Sequence, residues 1–362
     1  MNKLVFCAMR ENRGATGGPG GVLYIQKELL GSEVAGLKSF YYFNYFKIKS
    51  RIVSRILNSL YFLVFCCFQR RVYYIVHDIE LAFILSILRK KYTLIYHSQG
   101  PVVEEIYNMG ELTSVKKKYY QMIERRAFLK AFTLHFPSKG AENMYFKSKY
   151  STCKKDEVNV GEPLYNTIPL VTVAKPHDFN LEETPDTLTF FSLGTLTFAK
   201  GQDQSIDFLK KFLDVYKKNV RYIMVGKGPL KDQLIEQLEK MKSQNLNFEY
   251  YYFENLSHDI IMYLHKISDI YLMIHRISIF DFATLEAMSQ SSVVVLSRIG
   301  GNPEFNYDNN IIFAEDVLAN MSEFVQQDFG EYKKKNKKVF EQYFSRDAYK
   351  KQYEMFVTKY VK

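Results

Sequence analysis

Four short runs in the second half of the chain carry charged side chains, three of them on glycine turns, the equipment for holding a charged ligand against backbone. Ser192-Leu-Gly-Thr-Leu-Thr-Phe-Ala-Lys-Gly201 reads as a strand ending in a glycine turn, with Lys200 opening a helix. An ammonium at a helix start is an anion site, because its charge and the unpaired first-turn N–H groups act together. Val225-Gly-Lys-Gly-Pro-Leu230 is a second strand–glycine–helix turn, with Gly226 and Lys227 at its tip. Thr284-Leu-Glu-Ala-Met-Ser289 sets Glu286 in an apolar helical context, and Val293–Glu304 closes on Gly300-Gly301 with Glu304 placed to order that loop. Gly300-Gly301 fits a tight loop where backbone approaches a ligand. In the first half, His97 ends a strand, and ligands of open parallel sheets bind beyond strand C-termini. Gly17, Gly18, Gly20 and Gly21 form a glycine-rich first loop able to approach a ligand closely.

These residues need a scaffold of alternating strands and helices. Lys3–Ala8 reads as a buried parallel strand, followed by the glycine-rich loop and a helix, the opening of a nucleotide-binding α/β layout. Val72–His77, Tyr92–His97 and Phe132–Pro137 continue the pattern. His77 and His135 read as structural. A proline-containing polar stretch, 161–185, reads as a linker. Strands at Thr187–Leu193, Arg221–Val225, Asn247–Tyr251, Ile270–Ile274, Ser292–Leu296 and Asn310–Phe313 then alternate with helices. Two doubly wound α/β domains follow, 1–165 and 166–344. The last segment, Ser345–Val361, is helical, with Tyr349, Tyr353, Phe356 and Tyr360 on one face.

The 362 residues are 47% apolar and 24% charged, a globular composition that excludes disordered and low-complexity classes. The four cysteines are too few and scattered for a disulfide framework, and no pair has metal-ligand spacing. No signal peptide is read at the N-terminus, and the longest apolar run, Leu60–Phe68, is too short to span a bilayer. Charge is lopsided. Residues 1–165 hold 25 bases and 13 acids, whereas the remainder holds 24 and 26. Residues 34–77 contain no acid, and within 38–74 seven bases interleave with twelve Phe and Tyr. That mixture predicts an interfacial surface for anionic membrane, with Lys47, Lys49, Arg51 and Arg55 facing it. No nucleic-acid signature accompanies the charge, so nucleic acid is not expected as a partner.

Taken in order, the four runs resemble the motifs of family-4 glycosyltransferases of the bacterial surface-polysaccharide type. That family shows G-R-L-x-x-x-K-G, V-G-x-G-P, E-x₇-E ending in L-E-A-M, and G-G-x-P-E. The first loop, the Ile95–Gly100 run and Phe136–Phe146 also resemble family features. The resemblance implies a GT-B fold of two Rossmann-like domains facing a central cleft, the terminal helix 345–362 crossing back to the first. It implies transfer, with retention and without metal or cofactor, of a sugar from a nucleotide sugar, UDP-linked, to a glycan or lipid-linked oligosaccharide acceptor. Lys200 would stabilise the departing diphosphate, Glu286 would hold the ribose hydroxyls, and His97 would orient the sugar. Gly17, Gly18, Gly20, Gly21, Thr195, Gly226, Lys227, Arg276, Gly300, Gly301 and Glu304 would complete the donor site. The protein would be cytoplasmic and peripheral on the inner face of the cell membrane.

Two positions depart from the family. Its diphosphate-binding Arg is Thr195, and the first Glu of E-x₇-E is Ser278. Arg276 and Lys227 are the candidate replacement cations. A catalytically silent GT-B protein that binds a glycan or partner is the alternative reading, and a GT-B sugar epimerase a third.

Overall fold

The computed structural model describes residues 3–9, 19–30, 37–49, 51–98, 100–108, 110–169, 173, 175 and 179–360. The chain divides into two compact units, Met1–Thr167 with Arg346–Lys362, and Ile168–Ser345.

In the first unit the order is β1 (Lys3–Ala8), α1 (Pro19–Leu30), β2 (Leu37–Tyr42), α2 (Arg51–Phe68), β3 (Val72–Val76), α3 (Ile79–Ile87), β4 (Tyr92–Ile95), α4 (Val102–Asn108), α5 (Ser114–Lys130), β5 (Thr133–His135) and α6 (Lys139–Lys147). The strands lie in the order β2-β1-β3-β4-β5, with every pairing parallel. β3 is buried at every residue, as expected of a strand covered on both faces. β2 corrects the sequence reading, which gave its residues to a basic aromatic surface. Phe40 instead stacks on Phe6 of β1, ring centroids 4.7 Å apart. Gly20 and Gly21 lie in the first turn of α1 rather than in a loop, behind Pro19, which suits a first helical position. Gly17 and Gly18 lie outside the described residues.

In the second unit follow β6 (Thr187–Leu193), α7 (Gln202–Val215), β7 (Asn219–Val225), α8 (Lys231–Gln244), β8 (Phe248–Phe253), α9 (His258–Ile267), β9 (Ile270–Met273), α10 (Phe282–Ser289), β10 (Val293–Leu296), β11 (Ile311–Phe313), α11 (Ala314–Ala319), α12 (Met321–Phe324) and α13 (Phe329–Val339). The sheet order is β11-β10-β9-β6-β7-β8, again all parallel. Counted from β6, that is the dinucleotide-binding order, whose direction reverses between β6 and β9. These two strands pair only at Phe190↔Ile270 and Phe191↔Tyr271. Beyond that point Ser192 Oγ donates to the Leu272 carbonyl, and the loops after the strands part.

The terminal helix α14 (Arg346–Tyr360) belongs to the first unit. Tyr349, Tyr353 and Phe356 are buried there, and Gln352 exchanges two hydrogen bonds with the Tyr165 backbone at 3.0 and 3.1 Å.

Candidate functional site

The site is built from loops at the C-terminal edge of the second sheet. The loops after β6 and β7 are zipped together: the Gly194 N–H donates to the Val225 carbonyl and the Leu196 N–H to that of Lys227, each at 3.0 Å. The loop after β9 joins them through Arg276 and Ile277, whose N–H groups donate to the Ala199 carbonyl. Gly301 then donates to the Ser278 carbonyl at 3.1 Å. Backbone crowding explains two glycines. A Cβ would sit 1.8 Å from the Gly194 oxygen at Gly226 and 2.0 Å from the Ile274 oxygen at Gly201, and both residues have positive φ.

Lys200 does not open a helix. It lies in a turn before left-handed Gly201, and α7 starts only at Gln202. Its Nζ donates to Asp281 Oδ1 at 2.7 Å, and the Tyr271 hydroxyl donates to Asp281 Oδ2 at 3.3 Å. Burial would raise the Asp281 carboxyl, but the Lys200 ammonium, the His275 ring and these hydrogen bonds outweigh it and hold it below the usual range. His275 is buried, and among the described residues neither ring nitrogen has a hydrogen-bond partner. Burial lowers its pKa to about 4, so the ring is neutral.

Glu286 sits almost buried on α10. His258 Nε2 is 2.7 Å from its Oε1, and the His265 ring is 3.7 Å from its Oε2. Burial raises the Glu286 carboxyl, the two rings lower it by more, and the balance lies below the ordinary value. The hydrogen bond to Glu286 raises His258. An ionised carboxylate has lone pairs to spare beyond these contacts, enough for a pair of hydroxyls.

The remaining candidates divide. Thr195 is exposed, and its carbonyl accepts from Gln202 Nε2 at 3.2 Å. Lys227 is exposed and makes no ion pair among the described residues. Arg276 is not an open replacement cation. Its guanidinium is held by both Asp203 oxygens at 2.8 and 2.6 Å and lies 4.2 Å over the Phe198 ring. Ser278 donates to Asn302 Oδ1 at 2.6 Å and is spent inside the loop. Gly300 and Gly301 lead into the 3₁₀ turn Asn302–Phe305, where Glu304 is half-buried.

Within the first unit, His97 follows β4 and lines a cavity of about 200 Å³ with His77, Asp78, Glu80, Glu105 and Arg55. The rings of His77 and His97 stack at 5.1 Å, 8° from parallel. His77 therefore shares the cavity of His97, although its sequence position reads as structural. Arg55 pairs with Glu80 at this cavity, a different place from the membrane face expected of it. His135 is buried, its Nδ1 2.7 Å from the Glu162 carbonyl oxygen.

Asp281, His258, His265 and His275 do not stand out in the sequence. Asp281 precedes a helix, where Asp ordinarily reads as a cap. The spacing of His258 and His265, two turns of α9 on one face, is the signal that the sequence offers.

Residues 174–341 match the family model described as glycosyl transferases group 1. A phosphatidylinositol N-acetylglucosaminyltransferase subunit from Arabidopsis thaliana is 26% identical over 136 residues, which cover 38% of this chain and only 30% of that protein. Among solved structures, sucrose-phosphate synthase from Thermosynechococcus elongatus superposes with a TM-score of 0.67 at 13% identity, covering 99% of this chain and 98% of that one. HepE from Anabaena, in complex with UDP, gives 0.63 at 14% identity over 99% and 100%. The lipopolysaccharide outer core galactosyltransferase WaaB gives 0.65 at 14% over 98% and 99%. The chain shares with these proteins the GT-B fold of glycosyltransferases.

Proposed function

We propose that this protein is a family-4 glycosyltransferase that moves a sugar from a UDP-sugar to a lipid-linked glycan acceptor in surface-polysaccharide assembly, with retention and without a metal. The observation that carries the reading is Lys200 at the β6/β9 reversal, within the segment that matches the glycosyl transferases group 1 model. Ligands of such sheets bind at the reversal. Lys200 and Lys227 supply positive charge for a departing diphosphate, Glu286 takes the ribose hydroxyls, and His97 takes a sugar-facing role. The UDP complex of HepE supports the choice of base. In the proposed reaction the bond from the anomeric carbon to the β-phosphate oxygen breaks. The acceptor oxygen bonds to that carbon from the same face, and its proton passes to the leaving phosphate.

A thermal-shift screen against UDP- and GDP-sugars tests this, because a ligand of the folded state raises Tm by mass action. One UDP-sugar should stabilise the protein, and its turnover should persist in EDTA. Loss of turnover on chelation, restored by manganese or magnesium, overturns the metal-free mechanism. A silent glycan-binding protein is the second reading, favoured by the neutralised charge of Lys200. Donor turnover decides between them.

We further propose that the first unit docks peripherally on an anionic membrane at the inner face of the cell membrane. Among the described residues no helix is long and apolar enough to cross a membrane. α2 buries Asn58, Phe62 and Cys66, yet its opposite side exposes Val53, Ile56, Leu60, Val64 and Phe68, the last 82% accessible. Exposed Tyr45, Phe46 and Ile48 precede it, interleaved with exposed Lys47 and Lys49. An apolar stripe edged by ammonium groups matches lipid acyl boundary and anionic headgroups together. Phosphatidylglycerol vesicles should float the parent, and each basic residue lost should weaken binding by about 1 kcal/mol. Lys47→Ser with Lys49→Ser should reduce flotation at low salt, and Leu60→Ser with Phe68→Ser at all salt concentrations. Equal flotation of all three proteins, or none, removes the membrane role.

A further inference from the structure

The Lys200 charge is already taken. Its Nζ lies 2.7 Å from Asp281 Oδ1, and the two side chains are only 23% and 14% exposed. Asp281 occupies the position before α10 with the extended backbone of a helix cap, φ −83° and ψ 129°. An Asp there ordinarily accepts from first-turn N–H groups. Asp281 makes no such bond and turns to Lys200 instead. Nearby His275 is neutral and offers no second cation. An anion that draws Lys200 away would leave a largely buried carboxylate with the Tyr271 hydroxyl alone, and an unpaired buried charge is costly.

We infer that Asp281 is a specificity-determining residue that makes the site prefer an intact nucleotide sugar to a free nucleoside diphosphate. The diphosphate takes the ammonium of Lys200, and hydroxyls of the attached sugar donate to the carboxylate thus released. A nucleoside diphosphate breaks the same pair and returns nothing to Asp281, so it is held less tightly and the spent nucleotide leaves readily. Ser278 does not compete for this task, because its hydroxyl is bonded to Asn302. Glu286 is given to the ribose hydroxyls in the same reading. The inference rests on the glycosyl-transfer reading and adds to it the means by which substrate and product are told apart.

Calorimetry with UDP, UDP-glucose, GDP and GDP-mannose tests it on the parent, Asp281→Asn and Asp281→Ser. Asparagine keeps the size of the side chain, and serine can cap the α10 N–H groups should the Asn variant not fold. With the carboxylate gone, the nucleoside diphosphate should bind at least about 10-fold tighter, since a competing buried anion is removed. The sugar nucleotide should gain less or lose, so the preference for it falls by about the same factor. Equal shifts for both ligands, or no shift, overturn the role of Asp281 while leaving the glycosyl-transfer reading intact. A parent that binds none of the four overturns both.

Discussion

Lys200→Ala should lower donor turnover by at least about 100-fold, the scale for removing a group that stabilises charge developing on a leaving group. The effect should fall mainly on turnover, because negative charge on the diphosphate grows as the sugar bond breaks. Lys200 stands at the sheet reversal, and Arg276 is locked to Asp203 and cannot step in. Lys227 makes no ion pair among the described residues, so residual activity should stay above zero. The substitution also strips Asp281 of its partner. That should cost about 1–3 kcal/mol of stability, the range for a buried acceptor left short of a bond. Release of nucleoside diphosphate, followed beside thermal melting, separates the two consequences. Unchanged turnover in a folded variant removes Lys200 from the site.

Glu286→Ala should weaken nucleotide binding by about 1.5–3 kcal/mol through lost charged hydrogen bonds. Calorimetry with UDP and GDP reads this, and equal affinity in variant and parent contradicts the ribose role. The same change tests the two histidines. His258 is raised above 6.5 in the folded protein, so its contribution to stability is fully present below 6.5 and fades as pH rises through the raised value. Glu286 is lowered below 4.5, so its contribution is present above 4.5 and is lost as pH falls through the depressed value. The Tm gap between parent and variant should therefore be widest between these ordinary values and narrow on the alkaline side. A gap independent of pH would show that the ion pair contributes nothing.

The loops at the C-terminal edge of the second sheet were legible because their glycines mark places where backbone meets backbone. Gly201 and Gly226 are required by carbonyl oxygens that a Cβ would overlap, and that demand leaves a trace in sequence. The strands of the second unit were legible for a related reason. β9 and β10 are buried at every residue and leave unbroken apolar runs. β2 was not legible, because Lys, Tyr and Phe interleave there much as they do on a surface, and only pairing with β1 reveals the strand. Partner choice was hidden as well. Arg276 and Asp203 are far apart in sequence, and nothing local says that one cancels the other. Asp281 was hidden by its own ordinariness, since an Asp before a helix looks like a cap until its carboxylate is seen to face Lys200.

The central claim, that this chain transfers a sugar from a nucleotide sugar, is tested most directly by following nucleoside diphosphate release from UDP- and GDP-sugars by the purified protein. The parent should consume one UDP-sugar slowly and saturably without acceptor, and faster once a glycan acceptor is added. Lys200→Ala should do so at least about 100-fold more slowly. Absence of release from every donor, with and without acceptor, would contradict the account.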